Sequence, residues 1–339
     1  LRVFDEMRDE ASAQTFAEFA GSAVLVRGES TILLPSHIEP SALVEDWEAC
    51  GYGYLTDRLG EGARIASVVT VVDADFLNQQ LGTAEPISAY GWGKTAWDGR
   101  SVADIVVGQI ESATHLLVVG RAGASGAIHR LLGLLNPSAP RCTLAEDSRA
   151  ELRDFVSSAR PVDAYALSEP TARIVPPWLK LLQDGGEGEL TRSTELFMYR
   201  RSLPFDQERF GEWLQDPSPG LVRGKGNVWL ANESVRAFGY SCAGTVHRVF
   251  AAGPWWAGRP DGAWPTCETH RSRLLERWHP RFGDRRQEIV FIGLGLDPSE
   301  VSAALDACLL SDAAALDLLL EGLPTGAAGE RASVGLGLH

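Results

Sequence analysis

The stretch "RIASVVTVVDADFL" (64–77) constrains the fold more than any other part of this chain. Its near-continuous valine run suits a strand covered on both faces, as in a parallel sheet. "SVADIVVGQIESA" (101–113) follows with helical spacing and Ser101 as a cap, then the apolar run "HLLVVG" (115–120), then "SGAIHRLLGLLNP", a helix stopped by Asn136-Pro137. Strands that alternate with helices predict an α/β layer around a mostly parallel sheet. Residues 1–63 add a helical pattern over 4–20, a short strand within 30–40 and a helix opening at Ser41.

At 339 residues the chain is too long for one ordinary core, so a second domain is expected. "ARIVPPWLKLLQDGGEGELTRS", with Pro176-Pro177 and Gly185-Gly186, has linker composition. Beyond it, strand patterns fall at 194–202, 220–231, 247–256 and 285–296, and helix patterns at 204–216, 267–279 and 297–312. That mixture predicts a smaller α+β domain. The expected division is 1–145, a connecting region 146–190, a second domain 191–322 and a disordered tail 323–339.

A net charge of −14 repels nucleic acid and anionic membrane, so neither is an expected partner. No apolar run approaches the ~18 residues of a membrane span. Five scattered cysteines do not suggest a disulfide framework, and a cytoplasmic location is expected.

Gly93-Lys94-Thr95 has the ending of a phosphate loop, but the context is wrong. Such a loop needs a glycine five positions before Gly93, a buried strand leading in and a helix leading out. Ser88 stands at the first position, "QQLGTAEPIS" precedes it and "AWDGR" follows. The expectation is an exposed loop.

Two other sets of residues carry possible chemistry. Cys242, His247, Cys267 and His270 offer two thiolates and two imidazoles, a set that tetrahedral zinc favours. The competing reading is a small buried cysteine and ordinary histidines. Arg223, Lys225, Arg285 and Arg286 lie beside strand patterns and could hold a phosphate, a carboxylate or a partner protein. Internal ion pairing with the many acidic residues is the competing reading, and the favoured one. No Gly-x-Ser-x-Gly or His-Glu-x-x-His is present, and no catalytic residue is assigned.

"YRRSLPFDQERFGEWLQ", "GLVRGKGNVWLA", "GPWW" and "RWHPRFGDRRQEIVFIGLGLDPSEVSAALDACLLSD" resemble the C-terminal domain of the CobW family of P-loop GTPases, over most of 195–315. "IEP" (38–40), "VVTVVDADFL" (68–77), "DGRSVADIVVGQIESATHLLVV" (98–119) and "LLGLLNPSAP" (131–140) resemble the later half of that family's GTPase domain. The resemblance implies an incomplete P-loop NTPase-like α/β layer followed by a CobW C-terminal domain. It also implies GTP and zinc as ligands, and a metal-chaperone role with a client protein.

Departures from the family pattern bear on activity. The phosphate loop and the Cys-x-Cys-Cys motif expected before "IEP" are not among the 37 residues that precede Ile38. This is expected of either a sequence without its N-terminal part or a branch that has lost nucleotide chemistry. Where the family reads guanine with Asn-Lys-x-Asp, this chain has Gly120-Arg121-Ala122-Gly123. The resemblance therefore implies a GTPase activity that is weak or lost. The alternative it leaves open is a non-catalytic adaptor using the C-terminal domain for protein contact, for example in a zinc-limitation response or in ribosome hibernation.

Overall fold

The computed structural model describes residues 68–91, 99–121, 125–144, Phe155, 176–184, 195–216 and 218–321, with two short strands, β1 (Arg2–Val3) and β2 (Ile32–Leu33), paired in parallel. The expected helices within 4–20 and after Ser41, the Gly93–Thr95 loop and the tail lie outside the described residues. The chain forms two compact units. One comprises Leu1–Lys180 with Ala243–Val246, the other Leu181–Cys242 with His247–His339.

The first unit contains a three-stranded sheet in the order β3 (Val69–Asp73), β4 (His115–Val119), β5 (Arg141–Thr143), parallel throughout. The valine run ends earlier than the sequence predicts. Asp73 leaves the strand and caps α1 (Ala74–Leu81), its carboxylate accepting from the N–H groups of Asp75 and Phe76. Only β4 is the covered strand. Val71 of β3 is 61% exposed, and β3 has one strand neighbour in the described sheet.

Helix α2 (Val102–Glu111) starts at a reciprocal capping box between Ser101 and Asp104. It is apolar on most sides, with Val102, Ile105, Val107 and Ile110 all buried. Helix α3 (Gly126–Leu135) stops at Asn136, which does more than break a helix. Its Nδ2 donates to the carbonyls of Ile110 and Ala113, both at 2.8 Å, and its Oδ1 accepts from Ala139 N and Ser138 Oγ. A single buried amide thus satisfies backbone from three segments. A further helix, α4 (Pro177–Asp184), occupies a stretch whose composition is that of a linker. Proline in its first turn costs nothing there, and Trp178 Nε1 donates to the buried Glu111 at 2.9 Å.

The second unit is built on a five-stranded sheet, in the order β6 (Leu196–Arg201), β10 (Gln287–Gly293), β7 (Leu221–Val228), β8 (Arg236–Ala243), β9 (Val246–Pro254). Strand β10 is antiparallel to both β6 and β7, and all seven of its residues are buried. No sequence pattern marks β8, whose "RAFGYSCA" lacks a clean alternation.

One sheet face carries the core: Phe197, Tyr199, Tyr240, Cys242, Ile289 and Phe291. Phe210 and Trp213 of α5 (Gln207–Gln215) and Val301 and Leu305 of α7 (Pro298–Ala307) belong to the same cluster. Phe205 stacks on Phe210 with centroids 4.5 Å apart. Asp206 caps α5, and Asp297-Pro298 opens α7. Two more α-helices of this unit are α6 (Glu268–Glu276) and α8 (Asp312–Glu321).

Candidate functional site

In open parallel sheets, ligands bind beyond the carboxyl ends of the strands. In the first unit that end carries Asp73 at the close of β3 and Gly120 directly after β4. Gly120 has φ +90, a conformation that side chains rarely adopt, and a Cβ there would stand 2.8 Å from Asp75 Oδ2 and 3.1 Å from Asp73 Oδ1. The next amide, Arg121 N, donates to Asp75 Oδ2 at 2.8 Å. The turn after β4 is therefore laid against the carboxylates of the first turn of α1.

This corner presents acceptors, not the convergent N–H donors that a phosphate needs. Gly120 offers no side chain to a ligand here, and Gly123 lies outside the described residues.

The structure does not gather the four predicted cations into one set. Arg223 is buried on β7 opposite Ile292, with Nη1 3.3 Å from the Cys242 carbonyl it donates to. Lys225 pairs in register with Val290 on the same strand face. Arg285 is spent on backbone, donating from Nε to Ser234 O at 2.7 Å and from Nη1 to Phe282 O at 3.2 Å. Burial lowers its proton affinity, partly opposed by Asp284.

Arg286 belongs to a different group. Glu288, on β10, faces Arg200 across the β6 register and takes its Nη2 at 2.6 Å. Arg286 Nε stands 3.6 Å from the other oxygen of Glu288, and Arg277 Nη1 stands 3.8 Å from the first. Sequence patterns do not single out Arg200, Arg277 or Glu288. Their only signal there is that they are charged; strand register across 88 residues brings Arg200 to Glu288.

Cys242 is fully buried on the core face of β8. Two residues earlier on that face, Tyr240 has its hydroxyl 2.8 Å from His247 Nδ1. Burial pushes the His247 imidazole down to about 4, so it is neutral at physiological pH. The ring stands edge-on to Trp213, 5.8 Å between centroids. Cys267 is exposed, directly before α6, and His270 lies in the first turn of that helix. Among the described residues, no three His, Cys, Asp or Glu side chains converge as a metal site.

Residues 194–309 match the Cobalamin synthesis protein cobW C-terminal domain. A CobW resemblance was expected over this region, and an α/β layer followed by an α+β domain was the expected architecture; both are borne out. Among curated proteins, the chain is 27% identical over 266 residues to the zinc-regulated GTPase metalloprotein activator 1 of Dictyostelium discoideum. That alignment covers 76% of this chain and 54% of the relative. It is 29% identical over 297 residues to a zinc chaperone of Mycobacterium tuberculosis, covering 84% of this chain and 67% of that one. The chain thus spans about half the length of the first relative and about two thirds of the second. Among solved structures, Zn(II)-bound YjiA GTPase from E. coli aligns over 81% of this chain and 69% of its own, at 15% identity and a TM-score of 0.26. No described helix is long and apolar enough to cross a membrane.

Proposed function

We propose that this chain is a CobW-like protein of zinc homeostasis that passes zinc to a client protein, with GTP hydrolysis weak or lost. The zinc part is supported by the two curated relatives, whose names are a zinc chaperone and a zinc-regulated GTPase metalloprotein activator, taken with the CobW C-terminal domain. Zinc is cargo in this reading. The described residues offer no three-ligand site for it, so no step is assigned to particular ligands.

The observation that carries the nucleotide part is the turn after β4. Gly120 stands where the family's base-reading asparagine would be, at a φ that disfavours any side chain, and Arg121 N is already committed to Asp75. Selectivity for guanine needs buried acceptors and donors matched to its edge. A turn without a side chain at the first of these positions lacks one of them.

The test uses the purified chain. Metal content after zinc equilibration, titration with fluorescent GTP, and GTP turnover are measured together. The expected result is retained zinc with turnover equal to buffer. A GTPase rate well above buffer, abolished by a substitution in this chain, refutes the nucleotide reading.

The adaptor reading has its own supporting observation. The CobW C-terminal domain has a complete sheet and core, while the base-reading turn has lost its side chain. A protein that binds neither zinc nor nucleotide but captures a partner through that domain would favour the adaptor.

A further inference from the structure

Strand β9 is one edge of the five-stranded sheet, with β8 its single strand neighbour among the described residues. β8 ends at Ala243 and β9 starts at Val246, so Gly244-Thr245 is a two-residue hairpin turn, with Gly244 at the positive φ of +56 that such turns need. Counting back from the closing pair of Ala243 and Val246, Gly239 faces Phe250. The packing agrees, since a Cβ on Gly239 would meet the Phe250 ring at 2.5 Å. Pairs that exchange both hydrogen bonds alternate along an antiparallel ladder, so Val246, Arg248 and Phe250 turn their backbone groups to β8. The N–H and C=O groups of Val249 and Ala251 then point outward from the sheet.

Native edges are guarded by lysine, inward-pointing charge, proline or a covering element. From Val249 to Ala252 the sequence is Val-Phe-Ala-Ala, with no charge and no proline. Phe250 is 48% exposed, and Ala251 and Ala252 are exposed beside it. Gly239 lets the Phe250 ring lean inward over β8 rather than over the outer edge. The run ends at Gly253, whose φ of +105 departs from extended backbone, and at Pro254.

An antiparallel pair of such edges about a twofold axis needs one residue opposite its own copy. Ala251, the midpoint of the exposed run, fits that position, because its outward N–H and C=O can exchange both hydrogen bonds with the copy. Each Phe250 then falls opposite an Ala252, large against small, on both sides of the axis. Arg248, the one Lys, Arg, Asp or Glu of β9, falls opposite Pro254 and away from its own copy. The edge is complementary to itself in size and in charge.

We infer that β9 is the interface between two copies of this chain, paired antiparallel about Ala251 so that two five-stranded sheets join into one. The pairing needs neither zinc nor nucleotide, and stands or falls separately from the function proposed above.

The experiment is sedimentation equilibrium of the whole chain over a wide range of concentration, followed by oxidation of cysteine variants with diamide. A concentration-dependent monomer–dimer equilibrium is expected. Ala251→Lys sets two ammonium groups opposite each other and should weaken the dimer about fivefold or more. Net charge alone predicts the reverse, because the substitution makes a chain of charge −14 less negative. Directly opposite residues have Cα atoms about 5.5 Å apart, within disulfide reach. Ala251→Cys should therefore crosslink to its own copy, whereas Thr245→Cys, also exposed but in the hairpin turn, should crosslink no more than the parent. Both positions are exposed, so folding is spared, and circular dichroism checks it. A chain that stays monomeric at every concentration overturns the inference and leaves the edge to an extended segment of another protein. A dimer of parental affinity in Ala251→Lys, or crosslinking through Thr245→Cys but not through Ala251→Cys, also overturns it.

Discussion

Replacing Gly120 by alanine tests the turn on which the nucleotide reading depends. Two costs follow from its geometry. At φ +90 the backbone lies where residues other than glycine store about 1–3 kcal/mol of strain. The new Cβ would stand 2.8 Å from Asp75 Oδ2, so that carboxylate must retreat and release Arg121 N. This bond is exposed, and its loss adds about 1 kcal/mol. Together the expected destabilisation is roughly 2–4 kcal/mol, or roughly 4–16 °C in Tm for a unit of this size.

Because the chain has two units, global unfolding need not be two-state. The local readout is hydrogen exchange at the Arg121 amide, which Asp75 protects, beside urea unfolding followed by circular dichroism. Gly120→Ala should speed that exchange. Asp75→Ala should remove part of the penalty, leaving the double variant less destabilised than the sum of the singles by about 1 kcal/mol. Gly120→Asn should gain no preference for guanine. A Gly120→Ala protein within about 0.5 kcal/mol of the parent, with unchanged Arg121 exchange, refutes the account of this turn.

Three shorter predictions concern other parts of the molecule. Asn136→Leu orphans the Ala113 carbonyl and the Ala139 N–H, and should cost about 2–5 kcal/mol in urea unfolding; Asn136→Asp should be at least as damaging at neutral pH, because a carboxylate would face two carbonyls. Gln287, fully buried, accepts from Trp229 N and donates to the carbonyls of Leu203 and Trp229, so Gln287→Leu should destabilise the second unit by a similar amount without altering the first. His247 has its proton affinity depressed to about 4, so the unfolded chain binds more protons than the folded one between about pH 6.5 and that value. Its contribution to stability is complete above pH 6.5 and falls away as pH drops toward 4; His247→Gln should flatten the stability curve over that window, and an unchanged slope would assign the titration elsewhere.

The sequence by itself determined the alternation of strand and helix in the first unit and the helix starts at Ser101 and Asp297. Those depend on residues close in the chain: apolar period, and a side-chain oxygen reaching an amide two or three positions on. It also made the CobW resemblance legible, since that lies in contiguous runs of residues. Tertiary structure decided what those local rules cannot reach. The valine run gave no sign that Asp73 would turn from strand to cap, because Asp73 acts through the helix after it and beside Gly120, 47 residues on. Helix α4 was hidden by its prolines, and Trp178 is tied to Glu111 only once the chain has folded. The four cations that sequence grouped were parted by strand register. Arg285 went to backbone carbonyls, while Arg286 joined Arg200 and Arg277 around Glu288. Charge can be counted along a sequence, but a strand pairing 88 residues apart sets which charges share a carboxylate.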